Sequence, residues 1–344
     1  MKRFFYIFFF AMLSVMSFSQ VVSFDLSDTA LSAEEVKAKT GKAVKLIYPT
    51  SMKNKIPAME CNVQVVGLGP FSVAEGRQVM FAPGNLQFNA AQGTHQCADG
   101  TTQKGTWRFA EHQWDYVGDA SNGNVYHNGT KCDNANISET YDGWIDLFGW
   151  GTSGWNSGAN VYQPWSTSQS YSDYYPGGSE KNNLTGAYAN ADWGVYNQIG
   201  SDAPGTWRTL TYDEWSYVYS GRANAKNLCG QATVNGVTGF ILLPDDWEAP
   251  SGITFIAGTS LNFTTNTYTT AQWEQMEQRG AVFLPSGGYR YGSSVGNVGL
   301  RGHFWSVSQG GSSNAWYLYF GSGNCRMLDN YRYYGQGVRL SQDL

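Results

Sequence analysis

The stretch that decides the fold is WSVSQGGSSNAWYLYFGSGNCRMLDNYRYYGQGVRL, residues 305–340. Its run AWYLYF alternates in character, as a strand with two different faces does. One face would carry Trp316, Leu318 and Phe320, and the other Tyr317 and Tyr319. The stretch contains no lysine and no glutamate, and 24 of its 36 residues are Tyr, Gly, Ser, Asn, Arg or Trp. It therefore predicts either one more sheet of a β-rich domain or a surface that binds something.

The composition of the whole chain favours a loop-rich protein with strands. Its 344 residues suffice for one large domain or two modest ones with a buried core. Charged residues make up only 14%, whereas there are 41 glycines, 13 tryptophans and 22 tyrosines. That mixture is unlike a helical bundle and indicates a twisted α+β protein with polar aromatic surfaces.

Two helices and several strands are predicted in the body of the chain. Thr211 with Glu214, and Thr269 with Gln272, each form a capping box ahead of a short helix. Apolar runs between and after them predict short strands. These runs are residues 239–244, 281–285, 315–320 and 337–340. Few helices and many short strands make α+β the predicted fold class.

The N-terminal residues predict an exported protein. Lys2 and Arg3 precede the apolar run 4–16, and small residues follow, so residues 1–19 are interpreted as a signal peptide cleaved after Ser19. The run is too short for a comfortable membrane span. Residues 20–69 form a small leader segment, with a helix at its Ser32 capping box and a strand at 42–49, and the aromatic body spans 70–344.

The charge balance argues against two classes of partner, nucleic acid and anionic membranes. Cleavage after Ser19 would leave 20 basic against 27 acidic residues, a net charge of −7. A chain without a basic stripe has no electrostatic footprint for nucleic acid, and anionic membranes are equally poor partners. No second long apolar segment predicts a transmembrane helix.

The five cysteines are spaced unlike a zinc site, because no CxxC or Cys/His cluster occurs. An odd number in an exported protein leaves at least one thiol outside any intrachain disulfide. Cys97 and Cys132 each lie in a polar, loop-like stretch. They are the candidate disulfide.

No pattern of catalytic residues stands out. The acids Asp142, Asp146 and Asp245 lie next to turns and aromatic residues, and nothing fixes the separation that a glycosidase requires. The four histidines are scattered, and neither GxSxG nor HExxH occurs. No catalytic residue, metal ligand or cofactor is predicted, although calcium in a loop stays open.

Several motifs resemble a known family. RTLTYDEWSYVYSGR, residues 208–222, resembles the helix signature of the formylglycine-generating-enzyme branch of the C-type-lectin-like fold. The C-terminal segments GHFWSVS, NAWYLYF and GQGVRL are similar to the closing strands of that branch. The body is more similar still to the Fibrobacter-type major paralogous domain (FISUMP) and its secreted Bacteroidetes relatives, over about residues 70–344. The matching motifs are residues 107–110, 115–118, 144–154 and 243–247.

The resemblance implies the fold more than an activity. The oxidase branch binds copper through a closely spaced cysteine pair near its C-terminal end, and here that region offers only Cys325, so copper oxidation is rejected. The calcium-dependent sugar motifs of animal C-type lectins are also absent from the sequence. The same fold carries proteins whose C-terminal residues are diversified by retroelements through adenine-directed mutagenesis, and residues 305–340 resemble such a variable region.

The residue types of that stretch agree with such diversification. Asparagine codons altered at their adenines give Tyr, Ser, Asp, Gly, Arg, Leu or Cys, but never Lys, Glu, Gln, Met or Trp. Residues within this accessible set are Tyr317, Tyr319, Asn324, Cys325, Arg326, Leu328, Asp329, Asn330, Tyr331, Arg332, Tyr333 and Tyr334. Trp305, Trp316, Met327 and the strand GVRL, residues 337–340, would then be fixed scaffold. The alternative is that tyrosine is simply abundant throughout this chain.

The predicted function is non-catalytic binding of a protein or glycan ligand through the C-terminal face. Tyr, Trp and Arg dominate binding hot spots, and small polar residues adapt to the ligand. The predicted ligand-binding residues are Tyr317, Tyr319, Asn324, Arg326, Asp329, Asn330, Tyr331, Arg332, Tyr333 and Tyr334. Two alternatives stay open, which are a glycan-active enzyme and a structural surface or adhesin subunit.

Overall fold

The structure is a computed structural model that describes residues 44–46, 65–67 and 69–344. The predicted signal peptide and the predicted leader helix lie outside these residues. The predicted strand at 42–49 is described as Val44–Leu46, which pairs antiparallel with Val65–Gly67. No helix in the described residues is long and apolar enough to cross a membrane.

The described chain has more strand than helix, which agrees with the predicted α+β class. In chain order the strands are β1 (Val44–Leu46), β2 (Val65–Gly67), β3 (Phe71–Ala74), β4 (Arg77–Phe81), β5 (Leu86–Gln96), β6 (Thr102–Phe109), β7 (Tyr126–His127), β8 (Thr130–Lys131), β9 (Arg208–Thr209), β10 (Cys229–Val234), β11 (Val237–Leu242), β12 (Thr267–Tyr268), β13 (Val282–Pro285), β14 (Tyr289–Tyr291), β15 (Ser294–Gly296), β16 (Arg301–Gln309), β17 (Asn314–Gly321), β18 (Asn324–Tyr331) and β19 (Leu340–Asp343).

The helices are short. The α-helices are α1 (Trp193–Tyr196), α2 (Tyr212–Ser216) and α3 (Thr270–Glu277), and α2 continues into a π-helical turn at Tyr217–Gly221. Single 3₁₀ turns occupy Asn134–Asn136, Tyr171–Tyr174, Pro176–Gly178, Gly186–Ala191 and Ala225–Asn227.

A three-stranded antiparallel sheet, β16–β17–β18, lies between two hydrophobic clusters. Leu318 and Phe320 pack into the cluster that contains Trp215 of α2. Tyr317 on the opposite face packs into the cluster that contains Trp150, and Tyr319 packs against it. The alternation predicted from AWYLYF is therefore confirmed, and both faces of this sheet are covered.

Both predicted capping boxes are present. The Thr211 hydroxyl accepts a hydrogen bond from the Glu214 N–H, and the Glu214 carboxylate accepts one from the Thr211 N–H. Thr269 and Gln272 make the equivalent pair at the start of α3. Arg208 also donates to both carboxylate oxygens of Glu214, at 2.8 and 2.9 Å, so the motif RTLTYDE fixes the helix start to the adjacent strand.

The last strand connects the two ends of the body. β19 pairs antiparallel with β4 near the start of the body and with β9, giving the order β3–β4–β19–β9. The strand predicted at 337–340 begins later than expected, at Leu340, because Gly337 makes a single parallel bridge to Phe304. A further sheet, β12–β10–β11–β13, packs against α3 around Trp273.

Candidate functional site

Eight tyrosines and one histidine are joined by ring contacts into one group, here called the tyrosine cluster. Tyr331 stacks on Tyr333 at 5.2 Å between ring centroids and on Tyr171 at 6.1 Å. Contacts of 5.2–5.7 Å continue the group as far as β17. Its members are the tyrosine and histidine rings linked at 6.1 Å or less, Tyr171, Tyr289, Tyr291, His303, Tyr317, Tyr319, Tyr331, Tyr333 and Tyr334. Tyr175, at 6.2 Å from Tyr171, and Trp305, at 5.9 Å from Tyr317, border it.

Three separate parts of the chain supply these rings. The 3₁₀ turn at Tyr171–Tyr174 supplies one, and the two-stranded sheet of β14 and β15 supplies Tyr289 and Tyr291. The third part is the C-terminal sheet with the segment 331–334 that follows it. The backbone of this segment is tied to β14 by reciprocal hydrogen bonds between Arg290 and Gly335, both 2.8 Å. The cluster is therefore a product of the tertiary fold.

The structure brings half of the predicted binding residues into the cluster. Tyr171, Tyr291 and Tyr331 are its most exposed members, whereas Tyr317 and Tyr333 are nearly buried. The predicted members of the cluster are Tyr317, Tyr319, Tyr331, Tyr333 and Tyr334. Asn324, Arg326 and Asn330 share the strand face of Tyr317 and Tyr319, since side chains alternate along β18.

Asp329 lies away from the cluster. It is paired with Trp316, which belongs to the opposite face of the sheet. Its carboxylate accepts a hydrogen bond from the Asn314 amide at 2.7 Å. Asp329 is one of the predicted ligand-binding residues, and strand alternation places it on the other side of the sheet from Tyr317 and Tyr319.

Arg332, another predicted ligand-binding residue, has a fully buried side chain. The guanidinium lies between the rings of Trp150 and Tyr175, at 4.7 and 4.8 Å from their centroids. It donates hydrogen bonds to the backbone carbonyls of Asn314, Gly311 and Glu180. Arg332 therefore positions the segment that carries Tyr331, Tyr333 and Tyr334 through contacts inside the protein.

Sequence reasoning missed four members of the cluster, Tyr171, Tyr289, Tyr291 and His303. The signal that was available is the repeat YRY at 289–291, which places Tyr289 and Tyr291 on one side of a strand. Nothing in the sequence shows that this strand and the turn at Tyr171 lie beside residues 331–334.

Three rings of the cluster, Tyr171, Tyr291 and Tyr331, are exposed. Within the described residues, none of the eight tyrosine hydroxyls bonds to another group, and none is among the buried polar atoms without a partner. Burial raises the pKa of Tyr333 to about 12, and burial and the neighbouring phenols also raise that of Tyr334. These phenols stay protonated at neutral pH, so each can donate and accept hydrogen bonds.

His303 packs against three tyrosines of the cluster. Its ring stacks on Tyr317 at 5.5 Å and meets Tyr289 and Tyr319 edge-on. Nδ1 lies 3.2 Å from the Gly288 carbonyl, so this nitrogen carries the proton and donates. Burial lowers the pKa of His303 to about 4, and the charge of Arg301 adds to this effect. The imidazole is therefore neutral at pH 7.

The predicted disulfide between Cys97 and Cys132 is absent, and both residues are free, buried thiols. Cys97 follows β5, and its backbone forms an isolated antiparallel β-bridge with that of Asn197. Cys132 packs with Trp144, whose backbone N–H donates to its sulfur at 3.3 Å. The prediction was wrong because the two loop-like stretches belong to different parts of the core.

The three acids considered for catalysis make separate sets of contacts. Asp142 contacts His127 at 3.2 Å. Asp146 is buried and accepts hydrogen bonds from the Val117 N–H and the Asn134 amide, and burial raises its pKa to about 6.

The third acid, Asp245, contacts the last residue of the motif 208–222. It pairs with Arg222 at 2.8 Å and accepts hydrogen bonds from the backbone and hydroxyl of Ser72. The three carboxylates thus share no partner. An enzyme that uses two of them together gains no support from these contacts.

Among the described residues, no group of three or more histidine, cysteine, aspartate or glutamate side chains could hold a metal ion. No protein-family model, curated protein or solved structure matches the chain. The tyrosine cluster is the strongest candidate site on the described part of the molecule.

Proposed function

We propose that the protein binds a macromolecular ligand through the tyrosine cluster and has no catalytic role there. The observation that carries the proposal is the contiguous group of eight tyrosines, of which Tyr171, Tyr291 and Tyr331 are exposed. Tyrosine supplies large contact area with little loss of conformational entropy, and its hydroxyl adds directional hydrogen bonds. This combination suits recognition of a surface.

The rigidity of the cluster also supports binding. Tyr333 contacts the rings of Tyr291, Tyr331 and Tyr334, and the buried Arg332 fixes the backbone beside it. A preformed surface loses less entropy on association than a mobile one. The segment 331–334 is therefore suited to present its exposed rings without a large rearrangement.

The proposal includes the wider setting of the protein. The chain would be exported after cleavage behind Ser19, and its body would adopt the C-type-lectin-like fold of the formylglycine-generating-enzyme type. Support for this fold comes from motif 208–222, which forms a capped helix beneath the C-terminal sheet. Diversification of residues 305–340 would change the ligand while the scaffold stays constant.

Glycan and protein arrays probed with the purified protein test the proposal. We expect a reproducible set of ligands for the wild type and at least a tenfold loss of affinity for the double variant Tyr331→Ser, Tyr334→Ser, since two anchor contacts are removed (about 1.4 kcal/mol for each factor of ten).

A matched control is Tyr126→Ser. Tyr126 is 60% exposed on the β7–β8 hairpin and makes no ring contact with the cluster. Equal loss of binding in this variant, or full binding by the double variant, would place the binding site elsewhere.

A further inference from the structure

One end of the tyrosine cluster carries two arginines around a single ring. Tyr319 is paired with Arg326 on β18 and with His303 on β16. The guanidinium of Arg301 lies 5.9 Å from the centroid of the Tyr319 ring. Arg301 and Arg326 are both exposed, and Tyr319 between them is half-buried. Two positive charges therefore border the cluster where β16, β17 and β18 run side by side.

Neither arginine forms an ion pair with another described residue. In the described ranges, the arginines that form ion pairs are Arg77, Arg208 and Arg222. The nearest acid on β18, Asp329, belongs to the opposite strand face and bonds to Asn314. The whole chain carries a net charge of −5. An unpaired basic pair on an acidic protein is a local site for an anionic group.

The packing of the tyrosine rings distinguishes between a sugar and a protein. Tyr331, Tyr333 and Tyr334 stack in sequence with interplanar angles of 15° and 21°, and Tyr171 stacks on Tyr331 at 18°. Stacking covers ring faces, which are the surfaces that sugars pack against, and leaves ring edges and hydroxyls outward. Edges and hydroxyls are the groups that protein-binding loops rich in tyrosine present.

We infer that the tyrosine cluster recognises an acidic segment of a protein, with Arg301 and Arg326 binding its carboxylates beside Tyr319. This inference rests on the proposed binding function and specifies the class of partner. The guanidinium groups match carboxylate geometry. The tyrosine hydroxyls would bond to the backbone and polar side chains of the same segment.

An array of random-sequence 15-residue peptides tests the inference with the purified protein. We expect the selected peptides to be enriched in aspartate and glutamate, and their binding to weaken as salt rises. The double variant Arg301→Gln, Arg326→Gln should lose the acidic enrichment and bind selected peptides roughly tenfold more weakly, because charge-assisted hydrogen bonds to carboxylates are lost. Arg279→Gln, at the end of α3 and outside any ion pair of the described residues, is the matched control.

The outcomes separate this inference from the proposed function. If the arginine variant binds as the wild type does while the variant Tyr331→Ser, Tyr334→Ser does not, the cluster binds ligands but the acidic preference is refuted. Absence of any selected peptide refutes the inference as well. Capture of polygalacturonate in place of peptides would show that the anionic partner is a polysaccharide and would overturn the choice of a protein.

Discussion

The guanidinium of Arg332 lies 4.7 Å from the ring centroid of Trp150. The Arg332 side chain is fully buried beside the tyrosine cluster. Burial lowers the pKa of Arg332 to about 10, so the group stays charged at neutral pH. Three backbone carbonyls and two aromatic rings therefore hold a cation inside the protein. This arrangement connects residue 180 and the segment 311–314 to the segment 331–334, which presents the tyrosines.

The first prediction concerns this buried cation. Arg332→Met should lower the free energy of unfolding by about 2–3 kcal/mol, because three backbone carbonyls lose the donor that links their segments and two rings lose the cation between them. Urea denaturation followed by tryptophan fluorescence measures the change. Arg326→Met, at an exposed position, should change stability by no more than about 0.5 kcal/mol. Equal stability of the two variants would show that Arg332 does not hold the loop.

The comparison of Arg332 with Tyr317 shows what could be predicted from sequence. Strand alternation and capping boxes depend on neighbours a few residues away, so AWYLYF, Thr211 and Thr269 were interpreted correctly. The burial of Arg332 depends on Trp150 and Tyr175, more than 150 residues earlier in the chain. Composition placed Arg332 among binding residues because only the tertiary fold distinguishes a buried arginine from an exposed one.

Dependence on distant parts of the chain also explains why the site predicted from the sequence lacked several members of the tyrosine cluster. The five tyrosines near the C-terminus were identified because they are close together in sequence. Tyr171, Tyr289 and Tyr291 reach the cluster only through the packing of a 3₁₀ turn and a hairpin against residues 331–334. Long-range packing of this kind leaves no local pattern in the sequence.

The second prediction separates anchor rings from structural rings. Tyr333 is 9% exposed and contacts three other rings, whereas Tyr331 is 42% exposed. Tyr333→Ala should therefore cost about 2–3 kcal/mol of folding stability, and Tyr331→Ala about 1 kcal/mol or less. Thermal and urea denaturation of both variants, beside Tyr126→Ala, measure this difference. A greater loss for Tyr331→Ala would reverse the assignment of the two roles.

The third prediction concerns His303 and acid. Its pKa in the folded protein, about 4, lies below the ordinary value of 6.5, so the unfolded chain binds the proton more readily between these pH values. Stability must then fall as the pH falls from about 6.5 to about 4, by up to about 3 kcal/mol. His303→Gln should lose less stability than the wild type between pH 7 and pH 4.5, as measured by urea denaturation at each pH.

Comparison of wild type and variant removes the contribution of other groups. Asp146 and Asp192 have pKa values raised to about 6 by burial, and this raises stability as the pH falls through the same range. Both acids are present in the two proteins and cancel in the difference. An identical pH profile for His303→Gln would show that His303 is not buried in its neutral form.

The fourth prediction concerns the thiols. Cys97 and Cys132 are both free and buried, and burial raises the pKa of each. Neither should react with iodoacetamide in the native protein at pH 7, because thiolate and access are both lacking. After denaturation without reductant, peptide mass spectrometry should find both residues alkylated. A linked Cys97–Cys132 peptide that alkylation reaches only after reduction would restore the disulfide.

The fifth prediction concerns the variation of residues 305–340. If a retroelement alters adenines in this region, every accessible codon is changed, but only variants that fold persist. Deep sequencing of codons 305–344 across a population and related strains should then find substitutions at exposed or half-buried positions. These are Tyr319, Asn324, Arg326, Leu328, Asp329, Asn330, Tyr331 and Tyr334.

The buried positions Cys325 and Arg332 should vary far less, although their codons are equally accessible, because each fills a closed site in the core. Trp305, Trp316 and Val338 should be constant. Variation that is as frequent at Arg332 as at Arg326 would contradict the structural role given to the buried arginine. A uniform sequence across all 40 codons would instead mean that the tyrosine cluster serves one fixed ligand, and the acidic preference at Arg301 and Arg326 would then describe that ligand alone.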